Sequence, residues 1–329
     1  MEIVFTKRYK INLIFSVVIS SLAAVVTAFA VPYIMTDLYL KYNETQGLIA
    51  AMTFLALHLF ITRRYRRRKK TARMPFNEES REILEDMVLF YKMLSRDDKY
   101  YFEKRVQIFL SEKKITGIGA DIDDETKLLI ASAAIIPVFK IEDWEYDKLE
   151  EILVYPDRFD DDYNFKTGER DVLGMVVHNT SSLIISKKEL FKGFKNMGKY
   201  NTAIHEFIHK IDEEDGEIDG LPLMMLNKEE LAEWRRIREI EMNKIKSGKS
   251  DLDADALQDE EEFLAIAGEY FFNNPDKMKE KNTDLYKILK KIFKQDTAAL
   301  IKSEARMIFK TTPSSLRDAT PPRRGIGGN

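Results

Sequence analysis

The feature that most restricts what this chain can fold into is the pentapeptide His205-Glu206-Phe207-Ile208-His209. Its histidines are four residues apart, so on an α-helix the two imidazoles lie one turn apart on the same face. That spacing lets both side chains reach one tetrahedral metal ion. The segment from Tyr200 to Asp212 contains no proline or glycine, which favours a helix there.

The glutamate inside the pentapeptide adds a chemical prediction. H-E-x-x-H is the pattern of zinc peptidases, in which both histidines bind Zn²⁺. Glu206 directly follows the first histidine, where its carboxylate can take the proton from a zinc-activated water that attacks a carbonyl. The alternative is a chance match on a charged helix, but two of the chain's four histidines fill the motif.

A third ligand is needed, because catalytic zinc usually takes three protein ligands and one water. No histidine follows His209, and the chain has no cysteine, so a carboxylate is expected. The absence of cysteine also excludes disulfides and a thiolate nucleophile. The predicted helix from Asp259 to Phe272 offers two candidates, Glu262 and Glu269, seven residues apart and on roughly the same face.

The N-terminal part of the chain has the composition of a membrane anchor. Ile11 to Met35 contains no charged residue and is long enough to span a bilayer. A second apolar run, Gly47 to Ile61, is shorter and needs its flanks to span. The two runs predict a transmembrane helical hairpin that brings the chain into contact with membrane lipid.

Basic residues flank both apolar runs and predict the orientation of the hairpin. Lys7, Arg8 and Lys10 precede the first run, and the basic segment 63–70 follows the second. Under the positive-inside rule, both basic ends and everything after them face the cytoplasm. We therefore expect a membrane protein whose main domain is cytoplasmic.

Two alternatives concern this N-terminal part. The first run ends in Ala28-Phe29-Ala30, which is similar to the cleavage site of a signal peptide, although the run is long and a second one follows. The basic segment could bind nucleic acid, but beside a span it is more often a topology signal that meets anionic lipid. The formal net charge of −3 also argues against direct binding of nucleic acid by the whole protein.

The remainder of the chain predicts an α+β fold, a mostly helical zincin-like metallopeptidase core with a small β-sheet. The transmembrane hairpin precedes this core in the sequence. Short β-branched segments at 152–155, 172–177 and 183–185 predict the strands, whose edge could pair with an extended peptide. The predicted organisation is an anchor with two transmembrane helices at 1–73, a zinc metallopeptidase domain at 74–310 and a disordered tail at 311–329.

Several motifs together resemble one family, the MtfA-like zinc metallopeptidases of gluzincin type, named for the Mlc titration factor. The resemblance spans roughly residues 78–293 and excludes the anchor and the tail. It rests on the sequences His205-Glu206-Phe207-Ile208-His209-Lys210-Ile211-Asp212, Asp215-Gly216, Asp219-Gly220-Leu221-Pro222, Glu262-Phe263-Leu264-Ala265 and Glu269-Tyr270-Phe271-Phe272.

The resemblance implies a role for each matching residue. His205, His209 and Glu262 would bind zinc, and Glu206 would be the general base. Asp212 would orient a histidine from outside the coordination sphere, and Glu269 would support the site without binding the metal. One position departs from the family, which tends to place a tyrosine seven residues before the third ligand, where this chain has Asp255. An anionic side chain there would not stabilise an oxyanion.

Two functions follow as expectations. The first is a membrane-anchored peptidase that hydrolyses peptide or protein substrates with a zinc-activated water. The second is a catalytically weak regulator that uses the same fold to bind a protein partner, such as a transcriptional repressor. The resemblance supports the second because the family is associated with sequestering a repressor, and Asp255 points the same way.

Overall fold

A computed structural model describes residues 7–34, 42–157, 174–176, 181–195 and 200–300 of the chain. The described part is mostly helical, as predicted. Its helices are α1 Lys7–Ile34, α2 Tyr42–Ile61, α3 Arg63–Arg73, α4 Glu78–Met87, α5 Leu89–Lys92, α6 Arg96–Glu112, α7 Asp124–Val138, α8 Lys187–Lys195, α9 Thr202–Asp212, α10 Lys228–Lys246, α11 Glu260–Asn273, α12 Pro275–Lys281 and α13 Thr283–Phe293. Two short 3₁₀ helices, Glu213–Asp215 and Ala254–Leu257, follow α9 and α10.

A four-stranded sheet accompanies the helices. Its strands are β1 Lys114–Gly117, β2 Glu151–Tyr155, β3 Gly174–Val176 and β4 Ser182–Ser186, arranged in the order β1-β2-β4-β3. The first three strands in that order are parallel, and β3 pairs antiparallel with β4 along the register Met175–Ile184. The expected strands at 152–155 and 183–185 are confirmed. Strand β1 lies outside the segments that the sequence predicts as strands.

One hydrophobic core joins the sheet to the helices. The alanine-rich α7 is buried along almost its whole length and lies between α6 and α9. Its first turn is closed by Asp123, whose side chain accepts a hydrogen bond from the Thr126 N–H at 2.7 Å. A helix buried on all sides needs such a cap, because the N–H groups of its first turn have no partner within the helix.

The N-terminal helices differ from the core in their exposure. Many large apolar side chains of α1 and α2 face outward, among them Ile14, Val26, Phe29 and Met52. Within the described residues, Lys7–Ala30 is the helix long and apolar enough to cross a membrane, and Gln46–Ile61 passes the same test only together with Arg63–Arg73, from which it is bent by 55°. Length and composition also fit a signal sequence, so a hairpin of two spans stays a prediction.

An ion-pair cluster joins these helices to the rest of the protein. We call it the anchor cluster; its members are Arg8, Arg64, Arg68, Glu112, Glu145 and Asp147. At its centre, the side chain of Glu145 is only 3% exposed and lies 3.1 Å from an Arg64 nitrogen. Part of the basic segment is thus neutralised by carboxylates of the protein. The predicted disordered tail, 311–329, lies outside the described residues.

Candidate metal centre

The histidine pair lies on α9, which begins after Asn201. The Asn201 side chain accepts a hydrogen bond from the Ile204 N–H at 3.2 Å and so caps the first turn. Phe207 and Ile208, the two residues between Glu206 and His209, are fully buried in the core. Because these two side chains fix the rotation of the helix, the opposite face presents both imidazoles to the same space.

Three side chains converge where the sequence predicts the metal. His205 Nε2 lies 3.1 Å from His209 Nε2. Glu262 places Oε2 3.3 Å from His205 Nε2 and Oε1 3.2 Å from His209 Nε2. One ligand atom from each of the three residues lies within 4.8 Å of the others, a grouping that could hold a metal ion.

The spacing of these atoms can be compared with a zinc site. Ligands about 2.0–2.1 Å from a tetrahedral zinc are separated from one another by about 3.3–3.4 Å. The separation of the two Nε2 atoms, 3.1 Å, and the distances from them to the two Glu262 oxygens, 3.3 Å for Oε2 and 3.2 Å for Oε1, are close to that value. Two imidazole nitrogens and one carboxylate are also a donor set that zinc accepts. The residues therefore fit the metal that the motif predicts.

Glu262 reaches the histidines because α11 begins just before it. Asp259 caps this helix by accepting a hydrogen bond from the Glu262 N–H at 2.8 Å. Further along, Gly268 lets α11 approach α9 closely, since a Cβ atom there would lie 2.5 Å from Ile208 Cδ1. The cap and the close helix contact together place the first turn of α11 against the histidine face of α9.

Glu206 lies beside the cluster and is 5% exposed. Burial raises the pKa of its carboxyl group to about 7; nearby His205 opposes the rise, whereas Glu262 and Glu269 add to it. A carboxylate whose pKa lies near neutral pH is suited to accept and return a proton.

The charges of the three converging side chains depend on one another. Burial lowers the pKa of His205, but hydrogen bonds to Glu262 and Glu269 outweigh burial and raise it well above its ordinary value. Burial lowers the pKa of His209. Burial acts to raise the pKa of Glu262, yet hydrogen bonds from both histidines bring it well below its ordinary value. Glu262 is therefore a carboxylate, the form that binds a metal.

Glu269 lies behind His205, on the side away from Glu262. Its Oε2 is 3.7 Å from His205 Nδ1, and its Oε1 accepts a hydrogen bond from the Asn201 N–H. Of the two carboxylates that the sequence left open, Glu262 thus faces the Nε2 atoms and Glu269 faces the opposite ring nitrogen of His205.

Asp212 lies at the end of α9 and is 1% exposed. Its Oδ2 accepts a hydrogen bond from the Gly220 N–H at 2.7 Å, and its Oδ1 is buried without a hydrogen-bond partner among the described residues. Burial raises its pKa to about 7. The contact with Gly220 was not predicted; the family resemblance implies that Asp212 orients a histidine.

The surroundings of Asp255, where the family tends to have a tyrosine, include a tyrosine from another part of the chain. Its carboxylate accepts a hydrogen bond from the Gln258 side chain at 3.0 Å, and the residue is exposed. The hydroxyl of Tyr200 donates to the nearby Asp253 Oδ2 at 2.6 Å. This hydrogen bond raises the pKa of Tyr200 to about 12, to which the charges of Glu269 and Asp255 also contribute. Sequence reasoning missed Tyr200, although it directly precedes Asn201, the cap of α9.

Comparisons with known proteins identify relatives of this chain. The model of the glucose-regulated metallo-peptidase M90 family matches residues 62–294, which include α9 and α11. An uncharacterised protein of Synechocystis is 25% identical over 69% of this chain and 87% of its own length. Mlc titration factor A of Pectobacterium atrosepticum is 27% identical over 68% of this chain and 85% of its own length. The same protein of Enterobacter is 26% identical over 64% and 84%. The resemblance to MtfA-like proteins is thereby confirmed.

Proposed function

Because the chain belongs to the glucose-regulated metallo-peptidase M90 family, we propose that it is a zinc-dependent peptidase anchored in a membrane. The observation that carries this proposal is the convergence of His205, His209 and Glu262 at separations of 3.1–3.3 Å. In this proposal the anchor comprises residues 1–73, the metallopeptidase domain 74–310 and a disordered tail 311–329.

The three converging residues would hold Zn²⁺, and Glu206 would move the proton. When bound, zinc supplies Lewis-acid chemistry that makes a water nucleophilic near neutral pH and polarises a carbonyl. The Glu206 carboxylate accepts a proton from the attacking water and returns it to the nitrogen of the departing amine. Its pKa of about 7 suits both steps.

Two residues outside the ligand set support the histidines. Glu269 lies on the Nδ1 side of His205, where a carboxylate fixes the imidazole so that Nε2 faces the metal. Asp212 lies one turn beyond His209. It acts through Gly220, from whose N–H it accepts a hydrogen bond.

Tyr200 is our candidate for the donor that stabilises the oxyanion. Asp255 occupies the position where the family tends to have a tyrosine, and its carboxylate cannot donate. Tyr200 carries a hydroxyl, precedes the cap of the motif helix and is exposed to solvent. Its bond to Asp253 holds the ring next to the segment that leads into α11. A substrate would take over this hydroxyl from Asp253.

The sheet gives the substrate a place to bind. Among the described strands, β3 is at the edge of the sheet and lies against α9. An extended peptide can add to such an edge through main-chain hydrogen bonds. This supports a peptide or protein segment as the substrate class.

The anchor cluster supports the hairpin and its orientation. Arg8 from the start of α1 and Arg64 from the start of α3 both contact Asp147, so the two ends of the apolar segment lie together beside the main domain. A hairpin places its ends on one side of the membrane, and the basic residues assign that side to the cytoplasm. The outer cations of α3, such as Arg67 and Lys70, are exposed and suit anionic lipid.

The orientation can be tested by labelling, because the chain has no native cysteine. Lys249→Cys in the main domain should react with an impermeant maleimide only in opened cells. Asn43→Cys, between the two apolar runs, should react in intact cells. The reverse pattern would refute the orientation.

The mechanism is tested by Glu206→Gln. The amide keeps the size of the side chain but cannot accept the proton, so we expect peptide hydrolysis to be lost while zinc content stays at the wild-type level. The control is Glu229→Gln, an exposed glutamate in the first turn of α10. Hydrolysis that continues in Glu206→Gln would refute the assigned base.

A second candidate function is a regulator that binds a protein partner. Asp255 favours it, because an anion where the family tends to have a tyrosine would not stabilise an oxyanion. Several relatives are also named for titrating Mlc. A partner that the wild-type protein and Glu206→Gln capture in equal stoichiometry, with or without zinc, would support this function. Capture that requires zinc would favour a substrate.

A further inference from the structure

Gly220 lies between the two helices that carry the proposed zinc ligands. Its N–H donates to Asp212 Oδ2 at 2.7 Å, which ties it to the end of α9, three residues after His209. Its carbonyl accepts a hydrogen bond from Trp234 Nε1 on α10 at 2.8 Å. Both polar backbone groups of Gly220 are therefore held by other elements.

On its other side, Gly220 touches the backbone of α11 directly. A Cβ atom at Gly220 would overlap the carbonyl oxygen of Glu260, and would lie 2.6 Å from its carbonyl carbon and 3.1 Å from Glu261 N. A main-chain neighbour cannot rotate away as a flexible side chain can. The φ angle of Gly220 is +67°, a conformation that also favours glycine.

A side chain of α10 secures the same contact. Arg238 Nη2 lies 2.5 Å from Glu260 Oε2, and its Nη1 lies 3.5 Å from the Gly220 carbonyl oxygen. Arg238 therefore contacts both the Gly220 turn and the first turn of α11. Glu260 is two residues before Glu262 on the first turn of α11. The position of that turn relative to α9 is therefore set through Gly220.

From these contacts we infer that the Gly220 turn is a spacer that fixes the distance between Glu262 and the two histidines. Asp212 and Gly220 are positioning residues: they act through α11 and do not touch the metal. This inference rests on the proposed function, since it assigns the turn a role in building the same zinc site. It also assigns a role to the buried Asp212, which is to hold Gly220 and not to contact a histidine.

The test compares two glycine substitutions in the full-length protein in detergent micelles. Gly248 has the same φ of +67° as Gly220, but a Cβ atom there meets nothing within 4 Å. Gly248→Ala thus carries the backbone strain alone, and Gly220→Ala adds the displacement of α11. Zinc affinity is measured by competition with a chromophoric chelator. We expect Gly220→Ala to weaken it about 10- to 100-fold, the effect typical of residues that support metal ligands, and Gly248→Ala to leave it unchanged.

A second pair of variants keeps the inference testable if Gly220→Ala does not fold. Asp212→Asn retains a carbonyl oxygen that can accept the Gly220 N–H, whereas Asp212→Ala does not. Both remove the negative charge; Asp212→Ala also removes the acceptor of the Gly220 N–H and the volume of the buried side chain. We expect weaker zinc binding in Asp212→Ala than in Asp212→Asn, with equal helix content by circular dichroism.

The outcomes separate this inference from the function on which it rests. Wild-type protein that binds no zinc would overturn the proposed function and the spacer together. Wild-type protein that binds zinc, with unchanged affinity in a folded Gly220→Ala, would overturn the spacer alone. If Gly220→Ala does not fold, equal affinities in the two Asp212 variants would overturn it.

Discussion

Replacing Glu262 with alanine removes the carboxylate that lies between the two imidazoles. Its oxygens are 3.3 and 3.2 Å from the Nε2 atoms of His205 and His209, so both histidines lose this neighbour at once. The side chain is partly exposed at 27%, and its truncation leaves the core of α11 intact. We therefore expect a folded protein with a damaged metal site.

The size of the effect follows from the number of ligands. Structural zinc binds to zinc-finger peptides with about 10–16 kcal/mol at pH 7, and we take this range as the scale for the present site. If three side chains share this free energy, each supplies roughly 3–5 kcal/mol. At about 1.4 kcal/mol per tenfold change, zinc affinity should fall by about two to four orders of magnitude.

The assay is zinc content after dialysis, followed by chelator competition, on wild-type protein and Glu262→Ala. Glu261→Ala is the matched control, because Glu261 is also half-buried on the same turn of α11. We expect about one zinc per chain in the wild-type protein and in Glu261→Ala. Wild-type affinity in Glu262→Ala, or an equal loss in both variants, would refute the ligand assignment.

Three further predictions concern stability and catalysis. Glu145→Gln removes the charge of the most buried carboxylate in the anchor cluster and should lower the free energy of unfolding by about 3 kcal/mol. Asp147 is more exposed, so Asp147→Asn should cost under about 1 kcal/mol. Equal melting temperatures of the two variants would contradict this. Burial alone would raise the pKa of Asp123, but hydrogen bonds from Lys187 and Thr126 lower it to about 2. The Asp123 carboxylate therefore contributes fully to the free energy of unfolding above the unfolded pKa near 4, and this contribution is lost as the pH falls towards 2. Asp123→Ala should lower the free energy of unfolding by about 1 kcal/mol at pH 7. Denaturant titrations should show a progressively smaller difference below pH 4. Tyr200→Phe should lower kcat about 10²–10³-fold with zinc content unchanged, and an unaltered kcat would exclude Tyr200 as the donor.

Much of the local structure could be predicted because it depends on residues a few positions apart. The i, i+4 histidines, the apolar face of α9 and the cap before α11 are set within single helical turns, and the structure has α9 at Thr202–Asp212 and α11 at Glu260–Asn273. The long apolar helix α1 could also be predicted from the sequence alone. Strand β1 was missed because it is four residues long and pairs with β2, more than thirty residues later.

The relation between distant residues was decided by the tertiary structure. Spacing alone left Glu262 and Glu269 as two candidates, seven residues apart on one face, and only the family resemblance favoured Glu262. Packing of α11 on α9 at Gly268 and Gly220 brings the first to the Nε2 atoms and the second to the Nδ1 side of His205. It also turned Asp212 towards Gly220 and paired the arginines of the basic segment with carboxylates of the main domain. The physical reason is that helical periodicity fixes which face of a helix a side chain occupies, whereas the close packing of helices fixes which atoms that face meets.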